Sequence, residues 1–192
     1  MNRRVIDYLV SSAGLIIAIV LLAAGGLMVW GQVFINHQVH NQLAAQKIFF
    51  PPKGSPAIAG AQFVAMRKYA GQQLTTGAQA ETYANHFIAV HLSEVAGGKT
   101  YAQVSSAALA DPTNTTLKTQ EQTLFQGTTL RGLLLNAYAF GTVARIVGIA
   151  AIVSFVGGGI LLVLSILGFA HGRRVSAAAA TVTETATQTR AA

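Results

Sequence analysis

The chain has no cysteine, so disulfides, thiol nucleophiles and metal–thiolate sites are all closed to it. Charge is scarce too: 10% of residues are Asp, Glu, Lys or Arg, against about 25% in an average soluble domain. Acidic residues are the rarest, six in 192. Only Glu81, Glu94, Asp111 and Glu121 fall between residues 35 and 142, which leaves no constellation for hydrolytic acid–base work. Ser93, Ser105 and Ser106 lack the G-x-S-x-G setting that exposes a serine nucleophile on a strained turn. Proline occurs four times, twice in the pair Pro51-Pro52, so long helices are unobstructed on either side.

What the chain has is apolar length. One run covers 9–34 and a second 143–170, and hydrophobic residues make up 52% of the whole. Crossing a bilayer core as helix takes about 20 apolar residues, and each run exceeds that. Arg145, at the start of the second run, is the nearest ionisable residue to either centre. No buried carboxylate interrupts the runs, which argues against a proton relay. Arg3 and Arg4 precede the first run and Arg173 and Arg174 follow the second. Basic residues beside spans are retained in the cytoplasm, so both termini are expected inside and the central segment outside. Tyr8 and Trp30 stand about 33 Å apart along a helix, one ring near each interface. The first run is longer than the apolar stretch of a cleaved signal peptide, and Arg3-Arg4 lacks the surroundings of a twin-arginine signal.

The expected fold is an all-α integral membrane protein, its two transmembrane helices extended into a helical extracytoplasmic domain. The expected segments are a cytoplasmic N-terminus (1–8), transmembrane helix 1 (9–34), a mainly helical extracytoplasmic domain (35–142), transmembrane helix 2 (143–170) and a disordered cytoplasmic Ala/Thr tail (171–192). Ile35, Val39 and Leu43 carry an apolar stripe outward from the first span until Phe49-Phe50-Pro51-Pro52 stops it. Ser55-Pro56 reads as a cap, and 57–70 reads equally as helix or short strand. Thr76 and Gln79 fit a capping box, followed by Ala80, Ala84, Phe87, His91 and Val95 on one face and a Gly97-Gly98 stop. Thr100 caps a shorter helix. The last opens at Asp111-Pro112 and runs into the second span, with Gly127 as its expected interruption. Large apolar residues are few between 35 and 142, so the domain's own core is expected to be thin.

Small residues mark helix packing. Ala150, Ser154 and Gly158 form a ridge at spacing four, and Gly14 and Ala18 offer another in the first span. Arg145, at interfacial depth, is the candidate for a lipid headgroup contact. The net charge of +7 is dispersed, and four of the basic residues flank the spans, so it indicates membrane lipids as partners rather than nucleic acid. The stretch 93–100 ends like a phosphate-binding loop but has Ser93 where the first glycine belongs. His86 and His91 diverge by about 140° on a helix and cannot converge on one metal. His37 and His40 do share a face but lack further ligands. No metal, cofactor or catalytic residue is expected.

Four stretches, 70–80 (AGQQLTTGAQA), 83–92 (YANHFIAVHL), 98–105 (GKTYAQVS) and 123–140 (TLFQGTTLRGLLLNAYAF), together with Pro51-Pro52, resemble a group of two-span actinobacterial cell-envelope proteins. The resemblance implies a plasma-membrane protein with an extracytoplasmic helical domain and no assigned activity. The expected function is non-enzymatic: a self-associating homo-oligomer that scaffolds the envelope and holds lipid within its assembly. The alternative is an accessory subunit of an envelope transport, lipid-trafficking or respiratory complex.

Overall fold

A computed structural model describes residues 3–191, with side chains for 5–174, and those residues form helices and turns with no named strand. Helix α1 covers Arg3–Ala45. Two 3-10 segments follow, Pro56–Ile58 and Ala61–Tyr69, which replace the helix-or-strand alternative for 57–70. Then come α2 (Gly77–Tyr83), a π turn (Ala84–Ile88), α3 (Ala89–Ala96), α4 (Tyr101–Ala110) and α5 (Thr115–Ala191). Helices α1 and α5 are each long and apolar enough to cross a membrane. The chain divides into two compact units, a pair unit of Met1–Gly31 with Val147–Ala192 and a central unit of Gln32–Ile146.

In the pair unit the two long helices pack antiparallel through small residues. Ser11, Ala18 and Gly25 are buried on α1, and Ala151, Gly158, Ser165 and Gly172 on α5, each set at a spacing of seven. The contacts are reciprocal: a Cβ at Gly14 would stand 2.6 Å from Ser165 Oγ, and one at Gly168 would collide with Ser11 Oγ. A Cβ at Gly158 would lie 3.1 Å from Leu22 and 3.3 Å from the Ala18 carbonyl oxygen. The ridge expected at spacing four shares Gly158 with this stripe. Of Ala150, Ser154 and Gly158, only Gly158 is fully buried. Steps of four residues drift about 40° round a helix, whereas steps of seven drift only about 20°, so the seven-residue stripe is the one that stays against a long partner. Ser154 still reaches across, its Oγ 4.0 Å from Met28 Sδ.

The tail also departs from expectation, since α5 continues as helix to Ala191 where disorder was expected from 171. No glycine or proline follows Gly172, and Ala177 to Ala180 carry the highest helix propensity of any residue.

The central unit has a core of its own, built on Val39, Leu43, Phe50, Ile58, Phe63, Met66, Leu74, Ala80, Ala84, Ile88 and Leu134. Large side chains that are fully buried are few, Phe50, Met66 and Leu74 here and Val104 in a smaller cluster with Ala96 and Leu124. Val39 and Leu43 come from α1, Leu134 from α5, Ala80, Ala84 and Ile88 from α2 and the π turn, and the rest from the loop and the 3-10 segments. Phe50 is held by backbone pairing of the 48–50 stretch with 72–74: Phe50 N donates to Gln72 O (2.9 Å) and Leu74 N to Ile48 O (2.9 Å). Arg67 fastens the two 3-10 segments, its guanidinium donating to the carbonyls of Ile58 (3.1 Å), Ala59 and Gly60 (3.0 Å). Hydrogen bonds to charged groups contribute about 1.5–3 kcal/mol. The residue is exposed and only its bond to Ile58 is partly buried, so Arg67→Ala is expected to destabilise the central unit by no more than about 1 kcal/mol, read as a lower denaturation midpoint.

The caps are where sequence placed them. Thr76 and Gln79 close a capping box on α2, and Thr100 and Gln103 close another on α4. Gly97 and Gly98, at φ 59° and 79°, end α3. Asp111 accepts from Thr113 Oγ1 (2.9 Å) and Asn114 Nδ2 (3.3 Å), and these bonds lower its carboxyl below the ordinary aspartate range. Two expectations fail between α2 and α5. The buried face runs Ala80, Ala84, Ile88 and Ala96 instead of through Phe87, His91 and Val95. The π turn at Ala84–Ile88 adds a residue to one turn and moves the stripe along by one. Gly127 does not interrupt α5. It sits beneath Leu92, where a Cβ would collide with that side chain.

Candidate functional site

Two concave surfaces of the central unit form where residues 130–145 of α5 run beside residues 32–46 of α1. The first is an apolar groove of about 390 Å³. Its floor is Val39, Leu43 and Leu134, all buried in the core, so it cannot close by local repacking. Phe34, Leu133 and Phe140 form the rim and are more than half exposed, Leu133 at 62%. Gln38, Gln42 and Gln46 run along one edge at intervals of four, with Asn136 opposite. No charged side chain lines it.

The second surface is a polar notch of about 260 Å³, with Arg145 at its edge. Gln32 and Asn36 reach it from α1, Tyr138 and Thr142 from α5, and Thr76 from the start of α2. What brings α2 here is glycine on glycine. A Cβ at Gly77 would lie 3.0 Å from Ala137 O and 3.1 Å from Tyr138 Cα, and one at Gly141 would lie 3.3 Å from Gly77 Cα. The two backbones meet so closely that a Cβ on either would make its neighbours give by a few tenths of an ångström, and the notch forms beside that contact.

The remaining sequence candidates lie elsewhere. Gly14, Ala18 and Gly158 belong to the packing of the pair unit described above. His37 and His40 are exposed, and His37 Nδ1 lies 3.1 Å from Asn41 Nδ2. His91 stacks on Phe87 (centroids 4.4 Å) and Phe63 (5.7 Å), with Nδ1 2.8 Å from Phe87 O. Among the described residues no three of His, Asp or Glu gather as metal ligands would. Burial raises the Tyr83 phenol above its ordinary value where it packs edge-on against Phe50.

Comparison with protein families, curated proteins and solved structures finds no match to this chain. Its function therefore has to be argued from the groove and the notch. Sequence reasoning isolated Arg145 but missed the company it keeps. Thr76 lies about 70 positions away in the chain, and only the Gly77–Gly141 contact links them. For the groove, the stripe Ile35, Val39 and Leu43 was legible, but not that Leu133 and Phe140 would stay uncovered beside it.

Proposed function

We propose that this chain is a two-pass plasma-membrane protein without a catalytic role, which associates with copies of itself through the α1–α5 groove and so scaffolds the cell envelope. Arg3, Arg4, Arg173 and Arg174 support cytoplasmic termini and an extracytoplasmic central unit. The observation that carries the self-association is the groove: exposed Phe34, Leu133 and Phe140 around an apolar floor with no charge. Small-residue ridges do not carry it, because within one chain they are already occupied by α1 against α5.

A second copy suits this groove for two reasons. Membrane anchoring holds every copy at one height and raises its effective concentration, so the same patch on two chains meets about a two-fold axis. A self-complementary patch must also avoid opposing like charges. Gln38, Gln42, Gln46 and Asn136 satisfy this, since an amide donates and accepts and can pair with its own copy. One observation favours the accessory-subunit alternative in a lipid-trafficking complex. From Phe34 to Gln46 the groove follows α1 for roughly 18 Å, about the length of an extended acyl chain.

Native mass spectrometry of the protein released from nanodiscs separates these. A discrete homo-oligomer is the expected result. A monomer at every protein concentration contradicts self-association, and a monomer that carries lipid shifts the reading to the alternative.

A further inference from the structure

We propose that the notch around Arg145 binds a phosphate group. Four residues that line it carry side-chain donors with no hydrogen bond to the rest of the described chain: Arg145, Gln32, Asn36 and Tyr138. The other two polar groups are spoken for, Thr142 Oγ1 by Tyr138 O (3.0 Å) and Thr76 Oγ1 by Gln79. Residues of α1 and α5 that carry free donors thus line one cavity of about 260 Å³. No Asp or Glu lines it, so its field is that of one fixed positive charge.

An arginine fork with neutral donors around it matches the planar pairs of oxygens on a phosphate. The polar lining disfavours an acyl chain, and the lack of a carboxylate disfavours a cation. Gln32 and Ile146 are the boundary residues of the central unit, so the notch lies where each long helix enters its apolar run. If those runs cross a membrane, as the functional reading holds, this is the level of lipid headgroups. A free phosphate or phosphate ester presents the same chemistry from solution, and the site does not depend on the membrane reading.

The test uses the full chain in nanodiscs with two arms. In the first, nanodiscs of mixed phosphatidylglycerol and phosphatidylcholine are opened in the mass spectrometer and retained lipids are counted. In the second, inorganic phosphate is titrated onto protein in phosphatidylcholine nanodiscs. Arg145→Gln removes the fork, and Asn36→Leu removes a donor from the other helix. Arg145 is exposed, and an unchanged melting midpoint shows that each variant is folded. Expected is preferential retention of phosphatidylglycerol that falls about tenfold in Arg145→Gln and less in Asn36→Leu. Phosphate binding in the second arm alone, lost in the same variants, supports the notch and assigns a soluble source. Binding in neither arm, or binding that Arg145→Gln leaves unchanged, overturns the proposal.

Discussion

Phe50→Ala is expected to destabilise the central unit by about 3–5 kcal/mol, the cost typical of a buried Phe cut to Ala. Phe50 is 1% exposed, packs its ring against Tyr69 (centroids 5.2 Å) and Tyr83 (5.4 Å, edge-on), and belongs to the larger of the two buried clusters described in this unit. Its backbone is fixed by the pairing with Gln72, so the strand-like segment cannot swing in to fill the hole. Hydrogen exchange read on peptides from the central unit would report this directly. The backbone amides of α2 and α3 are expected to exchange about a hundredfold faster or more, because each 1.4 kcal/mol of lost stability is a factor of ten. Protection in 5–30, within the pair unit, is expected to stay as it is. Unchanged exchange throughout would mean that Phe50 is not the keystone of this core.

Gly158→Leu is expected to have the second large effect, this time on the pair unit. The nearest atom that cannot yield is the Ala18 carbonyl oxygen, 3.3 Å from where a Cβ would stand, and Leu22 lies closer still. A leucine there must push the helices apart, and every small residue in the seven-residue stripe then loses its close contact. Overpacking costs about 1–3 kcal/mol at a single well-packed site, and loss of the neighbouring contacts adds to it. The adjacent Gly159 supplies the control, since a Cβ at that position meets nothing within 4 Å. In a detergent denaturation series Gly158→Leu is expected to unfold at lower denaturant, while Gly159→Leu matches the parent. Equal behaviour of the two variants would remove the helix pairing described here.

Local chemistry was legible in the sequence and geometry was not. Thr76, Gln79, Thr100 and the Gly97-Gly98 stop act within a few residues, so spacing alone reveals them. The apolar runs were legible because length and composition suffice to find a helix able to cross a membrane. The face carried by 80–96 was misassigned because one π turn, which leaves no mark in residue type, shifts every later position. The full stripe was not legible because two long helices in contact select a period of seven, and the choice is made by the partner. Gly127 looked like a break because glycine destabilises helices, but Leu92 requires the space it leaves. The notch depends on Gly77 meeting Gly141, a contact between positions that no local pattern relates.

The absence of cysteine allows a direct measurement of the central claim, that two copies meet at the groove. Leu133→Cys places a lone thiol on the groove rim, and Leu109→Cys places one on α4, where the side chain is 78% exposed and lies outside the groove. Mild oxidation in intact membranes at low expression is the measurement. The account predicts a disulfide-linked dimer for Leu133→Cys and little or none for Leu109→Cys. Equal cross-linking of the two variants, or none with either, would contradict it.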